Sequence, residues 1–164
     1  MTTGGGGCKP MITADRAPGS GIMGDGAIDG RGGARLLGQD VTWWELAHTA
    51  KVLDQRQTVP RMLAVSQSDN FTLYRITLRN SPNFHVGVNQ TNGFTAWGVK
   101  IHTPHTARNT DGIDPSSSTN VTIVYCDIAH ARRLAPARLA LHAPRAQARQ
   151  HPCNLPPRLR LLWN

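Results

Sequence analysis

An asparagine-led phrase returns three times along the middle of the chain, as Asn70-Phe71-Thr72-Leu73, Asn92-Gly93-Phe94-Thr95 and Asn120-Val121-Thr122-Ile123, at intervals of 22 and 28 residues. Each recurrence runs into a second apolar stretch: Tyr74 to Leu78, Trp97 to Ile101 and Val124 to Ile128. From Arg61 to Ile128, β-branched and aromatic residues come in short runs punctuated by Asn, Gly, Ser and Pro. Helical periodicity is absent there, and the punctuation is that of many short strands. A repeat of this length with two or more strands per unit predicts a solenoid of stacked coils, a parallel β-helix. One coil cannot bury its inward alternate side chains alone, whereas stacked coils bury them continuously and pair the backbone along the axis. A last coil ending near Ala129 would expose a strand edge that templates aggregation. The stretch suited to a helix or long excursion is Leu36 to Leu53, with Trp43-Trp44-Glu45-Leu46-Ala47, expected to cover or flank the coil wall.

With 164 residues the chain suffices for one domain with a core, and no apolar run approaches membrane-spanning length. A net charge of +8 suggests a polyanion partner, but the charge is unevenly placed. Residues 1–129 carry eleven Lys and Arg against all ten acids, whereas 130–164 carry seven Arg and no acid. That tail is also different in style. Of its 35 residues 29 are Ala, Arg, Leu, Pro or His, and it has no Gly, Val, Ile, Thr or Ser. Five prolines interrupt any helix of more than about two turns. The expected organisation is therefore a partial β-helix over 1–129 and a basic, disordered tail over 130–164. Ala, Arg and Pro have GC-rich codons, so a GC-rich gene read out of frame also accounts for the tail; the nucleotide sequence decides. An Arg-Pro-Ala tract without interleaved aromatics offers only salt-sensitive attraction to polyanions, which makes nucleic acid a poor partner.

Several short motifs have plainer readings. Gly24-Asp25-Gly26-Ala27-Ile28-Asp29-Gly30 would place Asp29 where GxGxxG needs its third glycine, so it reads as tight turns. The sequons at Asn70, Asn89 and Asn120 read as asparagine turns. His102-Thr103-Pro104-His105 has no spaced carboxylate or thiolate partner for a metal. Cys8, Cys126 and Cys153 are widely separated and odd in number, and are expected to be unpaired. No basic patch followed by an apolar stretch opens the sequence, so no secretory signal is read in it. The chain is expected to be monomeric. Ala107-Arg108-Asn109-Thr110-Asp111-Gly112-Ile113-Asp114-Pro115 sets two carboxylates and an Asn in a glycine-containing connection. On the residues alone this is a self-capping turn or, less often, a catalytic or calcium-binding pair.

Asn109-Thr110-Asp111-Gly112-Ile113-Asp114 resembles the NTDGID signature of the polygalacturonases, glycoside hydrolase family 28. Gly26-Ala27-Ile28-Asp29-Gly30-Arg31-Gly32 with Trp43-Trp44 is similar to the family's early GxIDGxG and tryptophan pair. Leu78-Arg79-Asn80-Ser81-Pro82-Asn83-Phe84-His85 is similar to its LxNSPxxH segment. The likeness is collinear from about Gly5 to Ala129. It implies a right-handed single-stranded parallel β-helix, here incomplete, and hydrolysis of the α-1,4 bonds of polygalacturonate (pectin) with inversion and without a cofactor. The family is usually secreted.

Inversion needs an acid to protonate the leaving oxygen and a carboxylate across the bond to activate water. The resemblance assigns Asp111 to the water-activating side and Asp114 to structure, as an Asp-Pro turn holding the loop. The family's following Asp-Asp pair, its general acid and a further water-binding carboxylate, falls by spacing at Arg132 and Arg133. Arginine stays protonated and presents only donors, so it can do neither job. The later Gly-His-Gly segment and Arg-x-Lys clamp have no counterpart in this sequence. The resemblance therefore implies a disabled polygalacturonase fragment; the alternatives are a non-catalytic β-helix whose Arg-rich tail holds pectate or another polyanion, and a non-functional gene remnant. His130-Ala131-Arg132-Arg133 followed by Leu134 can be written CAC-GCG-CGA-CGA-C, which one base later reads Thr-Arg-Asp-Asp. The missing pair thus fits another frame.

Overall fold

The computed structural model describes residues 8–130. The tail expectations, with Arg132, Arg133 and Cys153, lie outside the described residues. Twelve strands form three parallel four-stranded sheets that run along one axis. The first sheet holds β1 (Ile12–Asp15), β4 (Leu63–Ser66), β7 (Val86–Asn89) and β10 (Ile113–Ser116). The second holds β2 (Gly21–Met23), β5 (Thr72–Tyr74), β8 (Asn92–Trp97) and β11 (Thr119–Val124). The third holds β3 (Ala27–Asp29), β6 (Thr77–Arg79), β9 (Lys100–Thr103) and β12 (Asp127–His130). The chain visits the sheets in rotation, giving four coils of a right-handed parallel β-helix.

Register shows why the repeat was visible. Ile12, Leu63, Val86 and Ile113 share one position, as do Lys100 and Asp127. The asparagine phrase follows the same rule, with one correction. Thr72 pairs with Thr95, and Val121 with Phe94, so the equivalents of Asn70 and Asn120 are Gly93 rather than Asn92. All three have positive φ, 58° at Asn70, 83° at Gly93 and 51° at Asn120, which Asn and Gly adopt most cheaply. Asn92 instead turns its side-chain carbonyl to Asn120 and Thr119 of the next coil (2.7 and 2.9 Å). The corner one turn earlier is a hydroxyl ladder in which Ser68 N–H donates to Thr91 Oγ1 and Thr91 N–H to Ser118 Oγ.

Inside, Leu63, Val65, Leu73, Leu78, Val86, Val88, Phe94, Ala96 and Ile101 are at most 1% exposed. Phe71 and Phe94 stack in adjacent coils with centroids 6.2 Å apart. The middle two coils hold the buried core; Ile12, Ile22, Ile28, Ile113, Val121 and Ile123 of the outer coils are partly buried against it. Between β3 and β4 lies the longest excursion among the described residues, which holds helix α1 (Trp43–Val52). Thr42 Oγ1 accepts from Glu45 N–H (3.1 Å) while the Glu45 carboxylate accepts from Thr42 N–H (2.6 Å), a reciprocal cap that fixes the helix start. Trp43, Ala47, Leu36 and Val59 make a satellite core beside the coils.

Cys8 is disulfide-bonded, contrary to the expectation of three unpaired thiols, while Cys126 is free. Pairing is decided by which Cα atoms the fold brings within about 6 Å, and sequence spacing does not report that. The Asp114-Pro115 step is likewise no turn: both residues lie in β10. Among the described residues β10 is an edge strand of its sheet, where a proline without an N–H is tolerated.

Candidate active site

The connection from β9 to β10 carries Asp111. It tightens on itself through Ala107 N–H to Pro104 O (2.9 Å) and Thr110 Oγ1 to Ala107 O (3.3 Å), and Asn109 takes a positive φ of 54°. Thr110 and Gly112 are buried; Asp111 between them is exposed. Gly112 has a steric reason. A Cβ there would stand 2.7 Å from Ile128 Cγ2 of β12, so any larger residue pushes the loop or the strand aside.

Beneath the loop lies His85, fully buried. Its backbone N–H donates to Asp111 O (2.9 Å). Its ring Nδ1 lies 3.1 Å from Thr110 O and 3.2 Å from Asp111 O, and Nε2 lies 2.7 Å from Thr103 Oγ1. Two carbonyls facing Nδ1 require it to carry the hydrogen, while Nε2 meets a threonine hydroxyl that also donates to His102 O (2.8 Å). One buried side chain thus ties the Asp111 backbone to the end of β9.

His85 is itself placed by the rest of its segment. Ser81 Oγ donates to Phe84 O (3.0 Å), Asn83 Nδ2 to Val59 O (3.1 Å), and Trp44 Nε1 to Ser81 O (2.9 Å). Gly30 and Gly32 let these chains close: a Cβ on Gly30 would meet Asn80 O at 2.8 Å, and one on Gly32 would meet Ser81 O at 2.9 Å. The three motifs quoted from the sequence therefore form one scaffold under the Asp111 loop. Sequence reading singled out Asp111 and Asp114 but missed the role of His85, which was visible only as the end of a motif. Asp114 is half-buried in β10, in register with Gly87. Among the described residues no cluster of three or more His, Cys, Asp or Glu is placed to hold a metal ion.

The described residues thus form a parallel β-helix with an exposed aspartate braced from the preceding coil. Residues 3–131 match the family described as Glycosyl hydrolases family 28, and the chain belongs to it. It is 55% identical over 123 residues to an endo-polygalacturonase of Pectobacterium parmentieri, covering 75% of this chain and 31% of that one. To an endo-polygalacturonase of Pectobacterium carotovorum subsp. carotovorum it is 53% identical over 128 residues, 78% of this chain and 32% of the relative. The solved polygalacturonase from Erwinia carotovora ssp. carotovora superposes with a TM-score of 0.72 at 55% identity, over 74% of this chain and 32% of that structure. The chain spans about a third of the length of these relatives.

Proposed function

We propose that this chain is a polygalacturonase-type half-site, which presents the water-activating carboxylate, Asp111, to polygalacturonate but does not turn it over. The observation that carries this reading is the bracing of Asp111: an exposed carboxylate on a loop whose backbone is held by buried His85. An inverting hydrolase needs a second carboxyl across the bond as acid. Arg132 and Arg133 stand where the resemblance places the pair, and a guanidinium holds its proton at any working pH. Loss of general acid catalysis alone forfeits about 10²- to 10⁴-fold in rate.

The test is reducing-end release from polygalacturonic acid by the purified chain beside Asp111→Asn. Equal rates at background are expected. Release that Asp111→Asn abolishes would show that another group supplies the proton, and the half-site reading would fall. A second reading, attachment to pectate through the tail, is favoured by its seven arginines without a single acid. It requires that pectate binding disappear at high salt.

A further inference from the structure

Two places before Leu63, Val86 and Ile113, the register of the first sheet sets Arg61, Phe84 and Asp111 in one column. The hydrogen bonds there confirm it: Met62 N–H donates to Phe84 O (3.0 Å) and His85 N–H to Asp111 O (2.9 Å). The column runs along the axis at about 4.8 Å per coil, so Arg61 starts about 10 Å from Asp111. The Arg61 guanidinium lies over the Phe84 ring, 5.4 Å from its centroid. The same side chain crosses the outer face of β7 at Gly87, where a Cβ would come within 3.4 Å of its Nη1. A Cβ there would only touch the arginine, so Gly87 leaves the surface low beneath a side chain whose seat is the Phe84 ring.

Arg16, Arg35, Arg75 and Arg79 each sit on an aspartate. Arg61 is half-buried and has no carboxylate within 4 Å among the described residues. A cation seated over an aromatic ring has less rotamer freedom left to lose, and its planar fork suits a carboxylate.

We propose that Arg61, seated on Phe84 beside Gly87, is a carboxylate-binding residue that holds a uronic-acid unit of the polysaccharide beside the one facing Asp111. This rests on the half-site reading above. A neutral sugar would leave the guanidinium unmatched, so the site selects de-esterified over methyl-esterified uronate.

The experiment is calorimetric titration of the full chain with a purified oligogalacturonate and with the same oligomer methyl-esterified. The variants are Arg61→Gln, Arg61→Lys and, as an equal change of charge at a distant corner, Arg75→Gln. Arg61→Gln is expected to weaken binding of the free acid at least tenfold, in the range of a charge-assisted hydrogen-bond pair, and to shrink the preference over the ester. Arg61→Lys keeps the charge without the fork and should fall between, which keeps the test open if Arg61→Gln folds poorly. Arg75→Gln should match the parent. If the parent binds neither oligomer, the half-site reading fails and this inference with it. If the parent binds and the Arg61 variants bind as Arg75→Gln does, the half-site stands and the role of Arg61 is refuted.

Discussion

Gly112 is where the candidate site is least tolerant of change. Its missing side chain is replaced by Ile128, whose Cγ2 would lie 2.7 Å from any Cβ at that position, with Ile101 Cδ1 at 3.6 Å. Overpacking of this kind costs about 1–3 kcal/mol. Gly112→Ala should therefore destabilise the chain by that order in urea unfolding, and Ile128→Ala should relieve much of it by removing the clashing methyl. The double variant is expected to lose less than the two singles together, a coupling that two independent sites would not show. At this scale the sequence was legible as a motif and opaque as a mechanism. Asn109 to Asp114 could be read directly, but that Gly112 meets Ile128 depends on a contact across the interior of the fourth coil. His85 was similarly hidden: nothing in a histidine's local sequence says which carbonyls its ring will face.

At the scale of elements, one carboxylate reinforces the backbone pairing of β3 with β6. Asp29 accepts from Arg31 N–H (2.9 Å), from the Asn80 amide (3.2 and 3.3 Å) and from Arg79 Nε (3.0 Å). Burial pushes its pKa up, but those hydrogen bonds and the Arg79 charge together hold it below the ordinary aspartate value. A depressed folded pKa means that the unfolded chain binds protons first on acidification, so stability rises with pH in that range. The contribution is complete well above the ordinary value of about 3.9 and is lost as pH falls through the lower folded value. Urea midpoints taken from pH 6 downwards should drop less steeply for Asp29→Asn than for the parent; equal slopes would mean that this carboxylate carries no such linkage. Strand chemistry was the most legible feature at this scale, because inward residues repeat once per coil. The exact phase was less so: Asn92 and Gly93 are adjacent and both suit a turn, and only backbone pairing shows that Gly93 takes the positive-φ slot. Asp114-Pro115 looked like a turn because Pro rarely enters a sheet, a rule that an edge strand relaxes.

At the scale of the whole molecule, burial across the four described coils is graded along the axis, and this decides how firmly the candidate site is held. Ile101 of the third coil is 1% exposed, whereas Ile123 of the fourth is only partly buried against the same core. Stability in a solenoid is approximately a sum of coil terms and nearest-neighbour interfaces, so damage at an outer coil stays local while damage in the middle spreads. Ile101→Ala should cost about 2–5 kcal/mol, as for a fully buried aliphatic side chain, and Ile123→Ala distinctly less. Amide exchange separates the two cases beyond their magnitudes. Ile123→Ala should speed exchange in β10 to β12 while leaving β5 and β8 protected. Ile101→Ala should speed it in all coils together, since its side chain joins the third coil to the fourth. The Asp111 loop is expected to follow β7 rather than β11 in this comparison, because its backbone is bonded to His85 of the better-buried coil. Exchange of the loop that instead tracks β11 would mean that the histidine brace is too weak to order the site. Protection that survives Ile123→Ala would show that the third coil alone holds Asp111 in position to meet a substrate.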